Sequence, residues 1–271
     1  MRKRIPLLLL LLLAASLLTF SCRQANTHIS TPIEGAQQDA RLWTRDIDLP
    51  LPLTDRDEQI LYRKAYVVSY NKSTLQPNYV AWHLTADHTD GSAPRPQTAW
   101  HDDPEVPQPR AYYSDYRGTG WDRGHLCPAG DNKWDETAMY ESFLMTNASP
   151  QHKAFNSGIW NQIEQSCRLW ARRHGDLFIV CGPIFLNQDH DTIGAHRIPV
   201  PEAFFKVVAC PSANPPMGIG FICRNNEGQR KKDHYVNTIA EVERITGITF
   251  FPHLPDSLQH AIKDQADLSR W

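Results

Sequence analysis

Residues 116–134 read YRGTGWDRGHLCPAGDNKW, and residues 146–168 read TNASPQHKAFNSGIWNQIEQSCR. In the first stretch Arg123 and His125 flank one glycine. Side chains alternate along an extended chain, so these two fall on one side of a strand. Gly124 between them leaves room for a phosphate to approach the backbone. Glycines at 118 and 120 mark a turn, and residues 112–126 predict a β-hairpin. In the second stretch Ser149-Pro150 has the form of a helix start, with serine as the cap and proline first. Ile159, Ile163, Cys167 and Trp170 then share one face until about Arg173, and Gly175 ends the run. Counted from Asn156 on a continuous helix, Glu164 lies about 80° round and Arg168 about 120°. Three polar groups then border one stripe. A solvated helix edge, with Glu164 and Arg168 as an i,i+4 pair, accounts for the same pattern without chemistry.

Outward from this centre the flanks predict a sheet. Residues 66–70 (YVVSY) and 79–84 (YVAWHL) are β-branched and aromatic, with turn signals between them. Residues 177–181 (LFIVC) form a continuous apolar run and predict a buried strand, and residues 203–209 and 218–223 supply two more. Residues 142–146 predict a further short strand. Residues 87–108 are rich in proline and predict a surface loop. Apolar residues recur at helical spacing from Val236 to Ile245 and stop at Gly247, and residues 256–271 predict a terminal helix. The expectation is an α+β fold with a central antiparallel sheet and helices packed on it.

The first residues read as a processing signal. Arg2-Lys3-Arg4 precede an apolar run over residues 7–20 that is shorter than the ~20 residues of a membrane-spanning helix. The run ends at Ser21-Cys22. Residues 1–21 predict a signal peptide of the lipoprotein type, with Cys22 as the acylated residue and an extracytoplasmic product anchored to a bacterial membrane. Plain secretion or a periplasmic location is the alternative. Residues 22–57 read as a tether and lead-in segment, and residues 58–271 as the catalytic domain. Removing residues 1–21 takes away three basic and no acidic residues, leaving 25 Lys+Arg against 30 Asp+Glu. That balance is a poor footprint for a polyanion binder, so any phosphate contact must come from a local cluster of arginines. None of the cysteines forms a CxxC pair, which argues against a structural zinc site. Cys210 and Cys223 are candidates for a disulfide if their strands are neighbours, and small buried hydrophobes otherwise.

The residue types suit hydrolysis of a phosphate ester, which needs a base, positive charge for the phosphorane and a stabilised leaving oxygen. Neutral imidazole near pH 7 makes His125 the candidate base. Gln188-Asp189-His190-Asp191 has metal-ligand residue types but reads as a solvated loop. No serine sits in a nucleophile-elbow setting. Trp121, Trp134 and Trp160 read as core residues, with stacking on bases as the alternative.

The order Asp-Arg-Gly-His (122–125), Asn147-x-x-Pro-Gln151, Asn156-x-x-x-Trp160 and then Glu164 resembles the DNA/RNA non-specific endonuclease family, the group of secreted bacterial nucleases and mitochondrial endonuclease G. The likeness covers roughly residues 66–251, and Phe250-Phe251-Pro252 resembles that family's C-terminal part. The resemblance implies a ββα-metal (His-Me) finger, a hairpin presenting the histidine and the following helix the metal ligand. It implies His125 as general base, Asn156 as the direct Mg²⁺ ligand (Mn²⁺ as a substitute) and Glu164 holding a metal-bound water. It further implies Arg123 and Arg168 on the scissile phosphate, Asn147 and Gln151 positioning the substrate, and 5′-phosphate products from DNA and RNA. Arg95 is a further candidate phosphate ligand. The alternatives are a phosphodiesterase acting on other phosphate esters and a catalytically inactive binding domain that keeps the fold.

Overall fold

The computed structural model describes residues 49–97, 100–226 and 230–271. The signal-like segment, Cys22 and most of the predicted tether lie outside these residues. From Leu49 onward the chain is already docked. The Leu51 amide donates to the Thr249 carbonyl at 3.1 Å, and Leu49 and Leu53 pack on the apolar cluster that contains Phe250. Leu49, Leu51 and Leu53, assigned above to the lead-in segment, are thus docked on the folded body.

In chain order the first strands are β1 (Gln59–Tyr62), β2 (Val67–Asn71), β3 (Gln76–Leu84), β4 (Trp121–His125), β5 (Ala148–His152) and β6 (Leu177–Ile184). Then follow β7 (Thr192–Ile193), β8 (Ile198–Pro199), β9 (Ala203–Cys210), β10 (Met217–Arg224) and β11 (Val236–Asn237). The main sheet has seven strands in the order β1-β2-β3-β6-β9-β10-β11, while β4 and β5 form a separate two-stranded ribbon. Every pairing in the main sheet is antiparallel. The helices are α1 (Glu136–Glu141), α2 (Asn161–His174), α3 (Ile239–Thr246) and α4 (Asp256–Lys263).

Alternation sorts the strand residues into two cores. Trp82, Ile179, Phe204, Val208 and Phe221 face Ile163, Cys167 and Trp170 of α2. Their neighbours Ala81, Val180, Phe205 and Val207 face Val242 of α3 and Ile262 of α4. With both faces covered, a strand has no solvent side, which is why residues 177–181 read as an unbroken apolar run. The α+β class and the central antiparallel sheet agree with the expectation.

Several local expectations fail, each because a non-local pairing wins. Residues 112–126 are not a hairpin: Tyr113–Tyr116 is a 3-10 turn, and β4 pairs with β5, with His125 opposite Ala148. Residues 142–146 are turns rather than a strand, and Ser149-Pro150 lies inside β5 instead of opening a helix. Pro150 stands opposite Arg123, and a two-stranded ribbon has edge positions where a missing N–H costs no ladder bond. The helical turn starts only after His152, whose Nδ1 accepts from the Ala154 amide at 3.2 Å. α3 begins at Ile239, later than predicted, because Thr238 and Glu241 form a capping box there. β1 and α1 have no counterpart in the expectation, and the terminal helix stops at Lys263. Cys210 pairs with Met217 and Cys223 with Phe204, at opposite ends of the β9–β10 ladder, so the two cannot be bridged. All five described cysteines are free and buried.

Gly218 marks the closest approach of α4 to the sheet. A Cβ there would lie 1.9 Å from the Ile262 carbonyl oxygen, a backbone atom that cannot swing aside. Gly218→Ala is expected to cost about 1–3 kcal/mol of stability through overpacking. Urea unfolding measures it, and an unchanged midpoint contradicts this docking.

Candidate active site

β4 carries His125 and Asp122, and β5 runs antiparallel to it before the chain turns at Lys153–Phe155. Asn156–Trp160 then forms a π-type turn with Gly158 at φ −95, ψ −112, outside helical geometry, before α2 starts. The helix is therefore not continuous from Asn156. The angles of about 80° and 120° predicted from an unbroken helix do not apply, and the position of Asn156 is fixed otherwise.

Two hydrogen bonds fix it. The Asn156 amide Nδ2 donates to Asp122 Oδ2 at 3.0 Å, and the Trp160 indole Nε1 donates to the His125 carbonyl at 3.1 Å. The turn is thus fastened to both ends of the tetrapeptide 122–125. A carboxylate only accepts, so it must face the amide nitrogen, which leaves Asn156 Oδ1 as the free ligating oxygen.

His125 is half-buried, with its ring centroid 4.4 Å from that of Trp100 and 4.8 Å from that of Phe143. Its Nε2 is buried with no hydrogen-bond partner. Burial, with help from the Arg95 guanidinium, pushes its pKa down from 6.5 to about 3. The imidazole is neutral at physiological pH and free to take a proton.

Glu164 keeps a solvent-accessible edge although protein surrounds it on nearly every side. Burial raises its carboxyl from 4.5 to about 7, against the pull of Lys206, Arg168 and Arg95. Arg168 is tied up in part: its Nη1 donates to Asp131 Oδ1 at 2.8 Å, and Asp131 also accepts from the Trp82 indole at 3.1 Å. A Cβ on Gly130 would meet Arg168 Nη1 at 2.8 Å. Arg123 lies 4.3 Å over the Tyr113 ring and 5.8 Å from that of Tyr116, with its Nε buried and unbonded. Arg95 is exposed, 5.9 Å over the Phe143 ring. Its charge acts on both His125 and Glu164, which places it at the rim of the same site.

Three expectations need correction. Asn147 is wholly buried, and its amide is spent on backbone: Oδ1 accepts from the Cys127 amide at 2.9 Å, and Nδ2 donates to the carbonyls of Cys127 and Ser142 at 2.8 Å. It clamps the chain just after His125 and offers a substrate no polar atom. Gln151 is also fully buried, so neither amide is a surface contact for substrate. The room at Gly124 is taken as well, because a Cβ there would lie 2.0 Å from Gln151 Cδ. That glycine accommodates a glutamine and not a phosphate. Both amide atoms of Gln151 nonetheless remain buried and unbonded beside β4. Of the tryptophans, Trp160 is fully buried and Trp121 half-buried, while Trp134 stacks on His88 at 4.6 Å. His190 pairs with Glu202 at 2.8 Å instead of waiting in a solvated cluster.

Sequence reasoning missed Lys206. It is 0% exposed, with Nζ 4.3 Å over the Trp160 ring and 5.0 Å over that of Trp82, and it has no hydrogen-bond partner. Burial opposes its charge, but Cys181, Glu164, Cys167 and Asp131 outweigh it and hold its pKa above the usual lysine value. The signal was in plain view: a lysine inside the strand AFFKVVAC (203–210). Charge buried in an apolar strand needs compensation, which here comes from the faces of Trp82 and Trp160 and the field of Glu164 and Asp131.

A divalent ion fits these groups. Among the described residues no cluster of three His, Cys, Asp or Glu side chains exists that would chelate a metal. One oriented amide oxygen with a carboxylate nearby suits Mg²⁺, which keeps most of its water and needs few protein ligands.

The two titrating groups make opposite demands on the metal-free fold. For His125 the folded value is below the ordinary one, so stability falls as pH drops from 6.5 toward 3. For Glu164 the folded value is above the ordinary one, so its contribution is full below 4.5 and lost as pH rises through 7. In chelator, Glu164→Gln is expected to remove the opposing Glu164 contribution, so that the urea midpoint climbs more steeply with pH between 4.5 and 6.5. An unaltered slope contradicts the burial of this carboxyl.

The family described as DNA/RNA non-specific endonuclease matches residues 51–257 of the chain. "Nuclease EXOG, mitochondrial" of Xenopus laevis is 33% identical over 204 residues, 70% of this chain and 57% of that protein. "Nuclease C1" of Cunninghamella echinulata var. echinulata is 33% identical over 218 residues, 75% of this chain and 86% of that protein. A solved structure described as "Crystal structure of the EndoG/EndoGI complex: Mechanism of EndoG inhibition" superposes with a TM-score of 0.69 at 25% identity, over 74% of this chain and 89% of that one. The chain thus spans little more than half the length of the EXOG relative.

Proposed function

The chain belongs to the DNA/RNA non-specific endonuclease family and has its ββα-metal fold, and from that premise we propose that it is a sugar-non-specific endonuclease hydrolysing DNA and RNA. The single observation that carries this is the neutral, unbonded His125 Nε2 on the same ribbon that holds Asn156 Oδ1 outward through Asp122. His125 Nε2 takes a proton from water as the water oxygen bonds to phosphorus. The P–O3′ bond breaks, its electrons stay on the 3′ oxygen, and that oxygen is then protonated. The products are a 5′-phosphate and a 3′-hydroxyl. Arg123, Arg95 and the part of Arg168 not spent on Asp131 draw the phosphate in. Glu164 orients water beside Asn156, and Lys206 beneath it supports the ionised carboxylate. Asn156, backed by Glu164, would hold Mg²⁺ or Mn²⁺, which supplies positive charge to the phosphate and the leaving oxygen.

The test is cleavage of supercoiled plasmid and of RNA, in parallel, with and without a chelator, by the chain lacking residues 1–21. Cleavage of both, abolished by chelator, is expected. Plasmid left intact while a small phosphodiester is hydrolysed favours action on other esters, and no hydrolysis at all favours an inactive binding domain.

We also propose that the chain is exported and anchored through a lipid on Cys22. The apolar run ending at Ser21-Cys22 supports this. Among the described residues no helix is long and apolar enough to cross a membrane. Cys22→Ser is expected to move the protein from the membrane to the soluble fraction on expression in a bacterium. An unchanged distribution contradicts acylation.

A further inference from the structure

A further groove among the described residues does not include His125 in its lining. It lies between the end of β10 and the segment 230–235, with a volume of about 550 Å³, and is lined by Ile222, Arg224, Asn226, Arg230, His234 and Tyr235. Among the described residues no acidic side chain lines it. Arg224, Arg230 and His234 are exposed, and neither arginine is in an ion pair among the described residues. In a chain with a formal net charge of −2, residues 224–234 (RNNEGQRKKDH) carry four basic against two acidic residues. Unpaired guanidinium groups around a concave surface are a phosphate site by geometry and charge.

Both walls are fastened to the catalytic elements. Asn225, between two lining residues, is buried, and its Oδ1 accepts from the His152 amide at 2.8 Å. Its Nδ2 donates to the Pro150 carbonyl at 3.0 Å. That is the end of β5, four residues ahead of Asn156. The opposite wall is held by Lys232, whose Nζ donates to Ser166 Oγ on α2 and lies 5.5 Å over the Trp170 ring. Glu164 and Arg168 stand on either side of Ser166. The groove is therefore held in a fixed relation to the site by β5 and α2 together, while Arg224 and Arg230 themselves touch no catalytic group.

We propose that this groove is a second phosphate subsite, gripping the sugar-phosphate backbone of a polynucleotide away from the bond that is cut. The inference rests on the nuclease reading for its ligand. It accounts for how an acidic protein retains a polyanion: Arg224, Arg230 and His234 hold one stretch of backbone while Arg95 and Arg123 meet another. Ile222 and the Tyr235 ring supply an apolar floor against which a sugar can rest.

The experiment uses the chain carrying His125→Ala, so that the probe survives, and a fluorescein-labelled duplex DNA read by anisotropy over a salt series. Arg224→Gln with Arg230→Gln keeps the side-chain stems and removes two charges. The slope of log affinity against log salt is expected to fall by about 1.8, because each phosphate no longer neutralised takes ~0.9 from it. With His125 retained, KM for plasmid rises while kcat/KM for bis(p-nitrophenyl) phosphate, too short to span both places, stays level. An unchanged salt slope overturns the subsite even if the enzyme cuts DNA. A reduced slope in a chain that cuts nothing overturns the nuclease reading and leaves the subsite standing. A parent chain that neither binds nor cuts DNA sinks both, and a loss shared equally by the small ester shows a structural role and also overturns it.

Discussion

His125→Ala is expected to lower DNA and RNA cleavage by about 10²–10⁴-fold, the span over which a positioned proton acceptor contributes, with the fold intact. The size follows from the environment of the ring. Its pKa of about 3 means that no proton has to be cleared from it at neutral pH, and its Nε2 has no competing partner inside the protein. The ribbon's other histidine, His152, has its Nδ1 engaged by the Ala154 amide at 3.2 Å. Stability changes less, because the imidazole, packed on Trp100 and Phe143, remains half-buried. Single-turnover cleavage with circular dichroism as the fold control measures both. A variant that retains metal-dependent activity near that of the parent removes His125 as the base.

Asn156→Ala is expected to weaken binding of the divalent ion by more than the ~10–100-fold typical of losing a group behind a metal ligand. The Asp122 bond takes the Asn156 amide nitrogen and leaves its Oδ1 for the ion. Two readouts separate this from general damage: Mn²⁺ binding by electron paramagnetic resonance, and the Mg²⁺ concentration for half-maximal cleavage. Both should move together. Asp122→Asn should move them in the same direction but less, since it loosens the amide without deleting its oxygen. An Asn156→Ala variant with the parent's Mn²⁺ affinity contradicts the ligand assignment whatever its activity.

The chemistry was legible in the sequence because it depends on residue type and order. Asp122 to His125, Asn156 and Glu164 are all in the proposed site, and the Asp122–Asn156 bond joins residues 34 apart that the motif already linked. The apolar strands β3, β6, β9 and β10 were legible too, since burial on both faces leaves runs that no helix period explains. Less visible was everything set by pairing at a distance. β4 looked like half of a local hairpin, yet its partner comes after a 22-residue interval that includes α1. Ser149-Pro150 carried the local marks of a helix start, and strand pairing with Arg123 overrode them.

By itself, then, the sequence determined the fold class, the apolar strands of the main sheet and the candidate acid, base and amide groups, because patterning and side-chain chemistry are local properties. The tertiary structure alone decided where those groups point. A single non-helical ψ at Gly158 resets the phase of the helix, Gln151 fills the space that Gly124 leaves, and the alternation of β9 buries Lys206 against Trp82 and Trp160. Arg224 and Arg230 became a groove only once Asn225 was bonded to β5. Packing and register set all of these, and local patterning does not encode packing and register.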